Sequence, residues 1–291
     1  MTAKNCWGRP VPSLSEIIDN DEFAGHLASA TAHMLQCDLE IARKIVALAS
    51  SAEQTYEDQA HTLLVTNQIL GDQDRDWAEE VEQLYSLTVP HITGQSLLDF
   101  GCGDGTMSRR FSKAGFEVVA TDLLGSSAEL DSSGVQFVPT NTDGTIPLAS
   151  TFDSAVCYGV LHHCNEPNVS VSEIARMLRP GGKAVLVESV FGLNATCSQI
   201  SPQIARTAFA KLSEIQQFLH TMFFDHLVNR IAGSYSSDPR TKVNMPYNYG
   251  TTADWSRLFA QYQLTVLHVQ HVSLEIGLAP LHHALFVVER A

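Results

Sequence analysis

From residue 95 onward the chain keeps returning to one pattern. Short apolar runs stand at 96–100, 116–121, 135–138, 153–158 and 183–188, and each is followed by turn or helix signals. Strands that alternate with helical stretches imply a parallel sheet with helices on both faces. The stretch "RMLRPGGKAVLVES" shows the transition: a helix end, a Pro-Gly-Gly turn, then an apolar strand. Two final strands, 264–276 and 282–289, are joined through "GLAP" and read as an antiparallel pair. The expected fold class is therefore α/β: a doubly wound, mostly parallel seven-stranded sheet with an antiparallel C-terminal strand pair.

Two helical additions flank this sheet. Residues 14–88 read as helical, and Phe23, Leu27, Ala30, Met34, Cys37, Ile41, Ile45 and Leu48 recur at spacings of three and four, as one apolar stripe of a helix does. Residues 201–232 predict one long helix, with Ser201 as N-cap and Pro202 in the first turn. The loop that follows, 234–252, is long enough to suggest a lid or binding loop, and a short helix is expected around 253–261. This divides the chain into an N-terminal helical cap, 1–92, and an α/β-sheet domain, 93–291, with a helical and loop insertion at about 194–252.

The stretch "LLDFGCGDGTMSRRF", 97–111, places glycines 101, 103 and 105 at the first strand-to-helix turn. In open α/β sheets ligands bind at that edge. A dinucleotide fingerprint needs G-x-G-x-x-G, but here the spacing is G-x-G-x-G and Thr106 holds the third position. A pyrophosphate would also share the turn with Asp99 and Asp104. Those acids suit a ligand carrying an ammonium or sulfonium instead. One strand later "FEVVATDL" ends in Asp122, placed to accept hydrogen bonds from a ribose or, in the plainer reading, to cap a helix.

"LLDFGCGDG", "VVATDL", "IPLASTFDSAVCYGVLHHCNEP" and "IARMLRPGGKAVLVES" together resemble the class I S-adenosylmethionine-dependent methyltransferases, in the group of ubiquinone-type and other small-molecule enzymes. The resemblance covers about 94–190 and implies S-adenosyl-L-methionine as cofactor. It implies that Asp99 and Gly101 hold the methionine amino end, that Gly103 lets the backbone lie against it and that Asp122 takes the ribose, with Cys102 and Leu123 as further cofactor-binding residues. Thr142, Asp143 and Gly144 would stand near the adenine, Val160 and Leu161 would line the floor beneath the cofactor, and Gly159 would be a further cofactor-binding residue.

Methyl transfer needs the acceptor held in line and dry, and a base only where the attacking atom loses a proton. His162 and His163 stand where the fourth strand delivers them to the carboxyl edge, and His162 matches the base of plant-type O-methyltransferases. No metal is expected, because adjacent histidines on a strand point apart and no C-x-x-C or H-x-x-x-H spacing occurs. Tyr247, Tyr249 and His226 are the candidate acceptor-binding residues, with His220, Phe224, Trp77 and Tyr85 behind them.

Formal net charge is −14, from 32 acidic and 18 basic residues, which disfavours nucleic acid and an acidic membrane face. No run of 18 apolar residues suggests a bilayer span, the first residues lack a signal-peptide core, and six scattered cysteines read as reduced. The expectation is a cytoplasmic methyltransferase for a small organic acceptor in specialised metabolism, methylating oxygen or nitrogen. Its amphipathic additions could pair in a homodimer. The rival readings are a protein that binds the cofactor without transfer and, more remotely, a nicotinamide oxidoreductase.

Overall fold

The computed structural model describes residues 4–17, 19–70, 73–123, 130, 133–193, 207–233, 235–236, 242–272 and 280–291, with the side chains of 73–79 excepted. Seven strands form one sheet in the order β3-β2-β1-β4-β5-β7-β6. The strands are β1 (Ser96–Phe100), β2 (Glu117–Thr121), β3 (Gln136–Phe137), β4 (Phe152–Tyr158), β5 (Leu178–Ser189), β6 (Leu264–Val272) and β7 (His283–Arg290). The first five pair in parallel, whereas β7 runs antiparallel to both β5 and β6. The expected sheet, including its antiparallel C-terminal pair, is present.

Burial explains why these segments are strands. A parallel strand with helices on both faces reads as a continuous apolar run. Leu97, Leu98, Ala155, Val156, Val185 and Leu186 are accordingly all but inaccessible to solvent. Edge strand β6 is largely exposed along its middle, and a register shift between Val266 and His268 kinks it. Such irregularity protects a sheet edge from pairing with another chain. Strand β5 begins five residues earlier than the apolar run predicted. Its pairing jumps from Phe152–Leu178 to Ser154–Lys183, so Pro180, Gly181 and Gly182 bulge inside a strand instead of preceding it.

The helices are α1 (Asp21–Met34), α2 (Leu39–Leu48), α3 (Glu53–Thr66), α4 (Gln73–Thr88), α5 (Thr106–Lys113), α6 (Pro167–Met177), α7 (Glu214–His226) and α8 (Thr252–Gln261). The apolar stripe of residues 23–48 spans two helices, not one. Gln36 takes φ +49°, which ends α1, and Asp38 begins α2. The long helix predicted over 201–232 is also corrected. Its proposed cap, Ser201 with Pro202, lies outside the described residues, and α7 starts at Glu214. Ser213 accepts from the Gln216 amide while the Gln216 side chain reaches back, closing a capping box. After His226 the coil widens into a π-helix, Leu227–Ala232.

The described chain divides into two compact units. One comprises 1–80, 191–247 and 273–282; the other comprises 81–190, 248–272 and 283–291 and holds the whole sheet. In the first unit the core gathers Leu27, Ile45, Tyr56, Phe209, Phe223 and Phe224. Within it Glu57 of α3, fully buried, is clasped by Arg230 at 2.8 Å and by Lys242. Among the described residues no helix is long and apolar enough to cross a membrane.

Candidate active site

Strand β1 pairs with β2 on one side and β4 on the other, so the strand order reverses there. A crevice opens at the carboxyl ends of such a pair. The chain leaves β1 at Phe100 and enters α5 at Thr106, and Gly101, Gly103 and Gly105 between them all have positive φ. Two of the three are explained by protein neighbours. A Cβ on Gly101 would lie 2.5 Å from the Val160 side chain, and one on Gly105 would lie 2.5 Å from Leu130. Gly103 differs: a Cβ there would meet nothing within 4 Å. The backbone at 103 borders open space, as a close approach by a ligand requires.

Carboxylates surround this opening. The Gly103 amide donates to Asp122 Oδ2 at 3.0 Å, which brings the acid at the end of β2 against the turn. Asp104 caps the entry to α5 through the Thr106 amide at 2.9 Å and the Thr106 hydroxyl. Asp99 lies underneath, 2% exposed, and accepts from Ser108 Oγ at 2.5 Å. Burial pushes the Asp99 carboxyl up to about 6; the Ser108 hydrogen bond opposes this, and the charges of Asp122 and Asp104 add to it. Cys102 contributes its main chain, whose amide bonds the Thr121 carbonyl at 3.0 Å. Burial drives its thiol well up, so it stays protonated.

The segment after β3 is tied to the same edge, because the Thr140 amide bonds the Asp122 carbonyl at 2.9 Å. Thr142 and Asp143 are exposed and Gly144 is partly so. Asp143 turns back on its own loop and accepts from the Thr145 hydroxyl at 2.7 Å, which holds its carboxyl below the usual range. Leu123, beside Asp122, is 61% exposed.

The third wall comes from the end of β4. Gly159 and Val160 lead into a single turn, Leu161–His163. Glu188, fully buried near the end of β5, organises that turn. One oxygen accepts the Val160 and Leu161 amides at 3.1 and 2.7 Å, and the other meets His162 Nδ1 at 2.6 Å. With two main-chain amides already donating to it, Glu188 is the acceptor for Nδ1 as well, which leaves Nε2 as the nitrogen of His162 that can take a proton. The His163 ring lies 4.0 Å from that of His162, and the ring of fully buried Tyr249 lies 5.5 Å from that of His162. Asn248 Nδ2 donates to the Cys164 carbonyl at 2.8 Å, which fixes the chain beside this turn.

Asp99, Gly101, Cys102, Gly103, Asp122, Gly159, Val160, His162 and His163 thus share one edge of the sheet, with Thr142, Asp143 and Gly144 on the loop that follows β3. His226 and Tyr247 belong to the other unit, where His226 Nδ1 meets the Tyr247 hydroxyl at 2.9 Å and Nε2 lies 3.3 Å from Glu57. His220 and Phe224 are buried in that unit also. Tyr85 lies under the Arg110 guanidinium at 3.6 Å, and the Trp77 side chain is outside the described residues. Sequence reasoning does not single out Glu188 as the partner of His162. Its only signal there is a lone acid near the end of an otherwise apolar strand.

A doubly wound sheet with a glycine turn at its switch point and an acid closing β2 defines the Rossmann-like class. Comparison with known proteins narrows it. Residues 98–186 match the family model described as a methyltransferase domain. A demethylmenaquinone methyltransferase of Renibacterium salmoninarum is 31% identical over 141 residues, 46% of this chain and 56% of the relative. A ubiquinone biosynthesis O-methyltransferase of Xanthomonas axonopodis pv. citri is 37% identical over 101 residues, 32% and 42% of the two chains. The chain spans about half the length of the curated relatives it matches. Among solved structures, it is similar to the 1,6-didemethyltoxoflavin-N1-methyltransferase of Burkholderia thailandensis, with TM-score 0.46 and 17% identity over 83% of this chain and 91% of that one.

Proposed function

We propose that the chain is an S-adenosylmethionine-dependent methyltransferase acting on an oxygen or nitrogen of a small organic acceptor. The observation that carries this reading is the open space at Gly103, bordered by the Asp122 carboxylate and underlain by buried Asp99. A crevice walled by acids fits a cationic ligand and resists a phosphate. The relatives are named for demethylmenaquinone and for ubiquinone biosynthesis, which supports a small acceptor, as does the net charge of −14.

S-adenosylmethionine supplies an electrophilic methyl on a sulfonium. Around it Asp122 accepts from the ribose hydroxyls, and Asp99 sets a negative charge beneath the ammonium. Exposed Leu123 offers an apolar face to the adenine, with Thr142, Asp143 and Gly144 at its amino edge. Gly159 and Val160 form the floor. His162, held through Nδ1 by Glu188, turns Nε2 into the proton acceptor for the attacking hydroxyl or amine; His163 is the neighbouring candidate for that role. A positioned base of this kind contributes about 10²–10⁴ in rate.

Isothermal calorimetry with S-adenosylhomocysteine tests the cofactor half. Wild type binds it, and Gly103→Val, which forces a β-branched side chain to φ +54° and into the opening, does not. No binding by wild type would remove the whole reading. Binding without a radiolabelled methyl product across a broad panel of phenols, amines and hydroxyquinones would instead make the chain a cofactor-binding module.

A further inference from the structure

The first unit holds a hydrogen-bond relay of its own. Tyr247 stands at its outer end, partly exposed, with its hydroxyl 2.9 Å from His226 Nδ1. His226 is fully buried, and its Nε2 lies 3.3 Å from Glu57 Oε1. Arg230 Nε donates to the same oxygen at 2.9 Å, and Lys242 meets the other. With both cations already donating to it, Glu57 is the acceptor for Nε2 as well. That leaves Nδ1 to accept, so the Tyr247 hydroxyl donates inward to His226.

Three observations set this relay apart from ordinary core pairing. Tyr247 has φ +55°, in the left-handed region that a bulky side chain rarely enters, and strain of that kind gathers at ligand clamps. The coil widens into a π-helix directly after His226, a feature found most often at functional sites. The His226 ring stacks with two tyrosine rings, Tyr56 at 5.4 Å and Tyr247 at 6.4 Å. The buried Tyr56 hydroxyl has no hydrogen-bond partner among the described residues, so this cluster holds more polar capacity than its own packing uses.

A phenol ordinarily both donates and accepts. Here the hydrogen is committed inward, so toward a ligand Tyr247 offers only lone pairs. An O–H or N–H satisfies them, whereas an ether oxygen would set lone pair against lone pair. We propose that Tyr247 is a ligand-binding residue that selects a small organic molecule by a free hydroxyl or N–H, with His226 and Glu57 as its positioning residues. The inference rests on the methyl-acceptor reading above and deepens it, because it names the group by which the acceptor is recognised.

The test pairs β-naphthol with its methyl ether and catechol with its dimethyl ether, each titrated by ligand-detected NMR. Wild type should bind the free hydroxyl compounds more tightly than the ethers. Tyr247→Phe removes one oxygen and keeps the ring, and should lower the ratio of the two affinities by roughly twofold to tenfold, which is the effect of one neutral hydrogen bond. Comparing ratios cancels the steric cost of the added methyl group. His226→Phe keeps a ring in the stack but releases the Tyr247 hydrogen, so the ethers should gain affinity over wild type, an effect that a merely structural role would not produce. A ratio unchanged in Tyr247→Phe, whether both ligands weaken or neither does, would overturn the proposal, as would wild type binding none of the probes. S-adenosylhomocysteine is titrated separately: its failure to bind wild type removes the cofactor reading, whereas an unchanged ratio beside normal binding of it removes this inference alone.

Discussion

Asp99 carries the most informative single perturbation. Its carboxyl is 2% exposed and pushed up to about 6 by burial, partly offset by Ser108. The unfolded chain has the ordinary value of about 3.9, so the difference of about 2 pH units amounts to roughly 3 kcal/mol. The sign follows from which state holds the proton. Between the two values the folded protein binds it and the unfolded chain does not, so stability falls as pH rises through that window, and the full cost is present above about 6. The Asp99→Asn variant escapes that cost, and its new amide oxygen can still accept from Ser108. The stability of Asp99→Asn relative to wild type should therefore rise by roughly 2 kcal/mol between pH 4.5 and pH 8. Urea denaturation at the two pH values measures this directly, because the other carboxylates cancel in the difference. The same variant should lose S-adenosylhomocysteine binding, since in the proposed function the charge that costs stability is the one that meets the ammonium. A difference in stability that does not change with pH would refute the electrostatic account of this residue.

The remaining expectations concern other parts of the molecule. Glu57→Gln should destabilise by about 3–5 kcal/mol in denaturant titrations, because Arg230 and Lys242 are left without their buried counter-charge. Burial alone would raise the Glu57 carboxyl, but hydrogen bonds from His226 and Lys242 and the charge of Arg230 bring it down to about 2. Its contribution should be complete above about pH 4.5 and lost as pH falls toward 2, a slope in acid unfolding that the Gln variant lacks. Gly101→Ala places a Cβ 2.5 Å from Val160 at φ +74°, and should cost about 2–4 kcal/mol by thermal or urea melts. Excess S-adenosylhomocysteine at about a hundred times its Kd should stabilise wild type by about 2.7 kcal/mol, read as a rise in the unfolding midpoint. Glu188→Gln should depress methyl transfer, because the His162 ring loses the carboxylate that orients it, while cofactor binding measured by calorimetry persists.

Periodicity made the sheet legible, because burial on both faces forces apolar runs and the helices between them force parallel pairing. It misled where a stripe continued in phase across a break: residues 23–48 keep helical spacing although Gln36 turns the chain between α1 and α2. The capping box Ser213–Gln216 was present in the sequence, yet the apolar spacing of Phe209, Leu212, Ile215 and Leu219 runs through it in phase, so periodicity gave no sign of a helix start there. The glycine turn, Asp122 and the histidines of the β4 edge were readable for a similar reason, since each follows directly from the end of a strand.

What the order of residues determined by itself was the parallel sheet, its glycine turn and the acids beside it; these depend on spacing along a few neighbouring residues. Only the tertiary structure decided their division of labour. It showed that Gly101 yields to Val160 while Gly103 yields to open space, that Asp99 is buried, and that Glu188, 26 residues from His162, orients its ring. It likewise put Glu57 and Arg230, 173 residues apart, into one buried ion pair. Such pairings arise when packing withdraws water from charged groups and obliges each to find a partner, and that partner is chosen by the fold and not by distance along the chain.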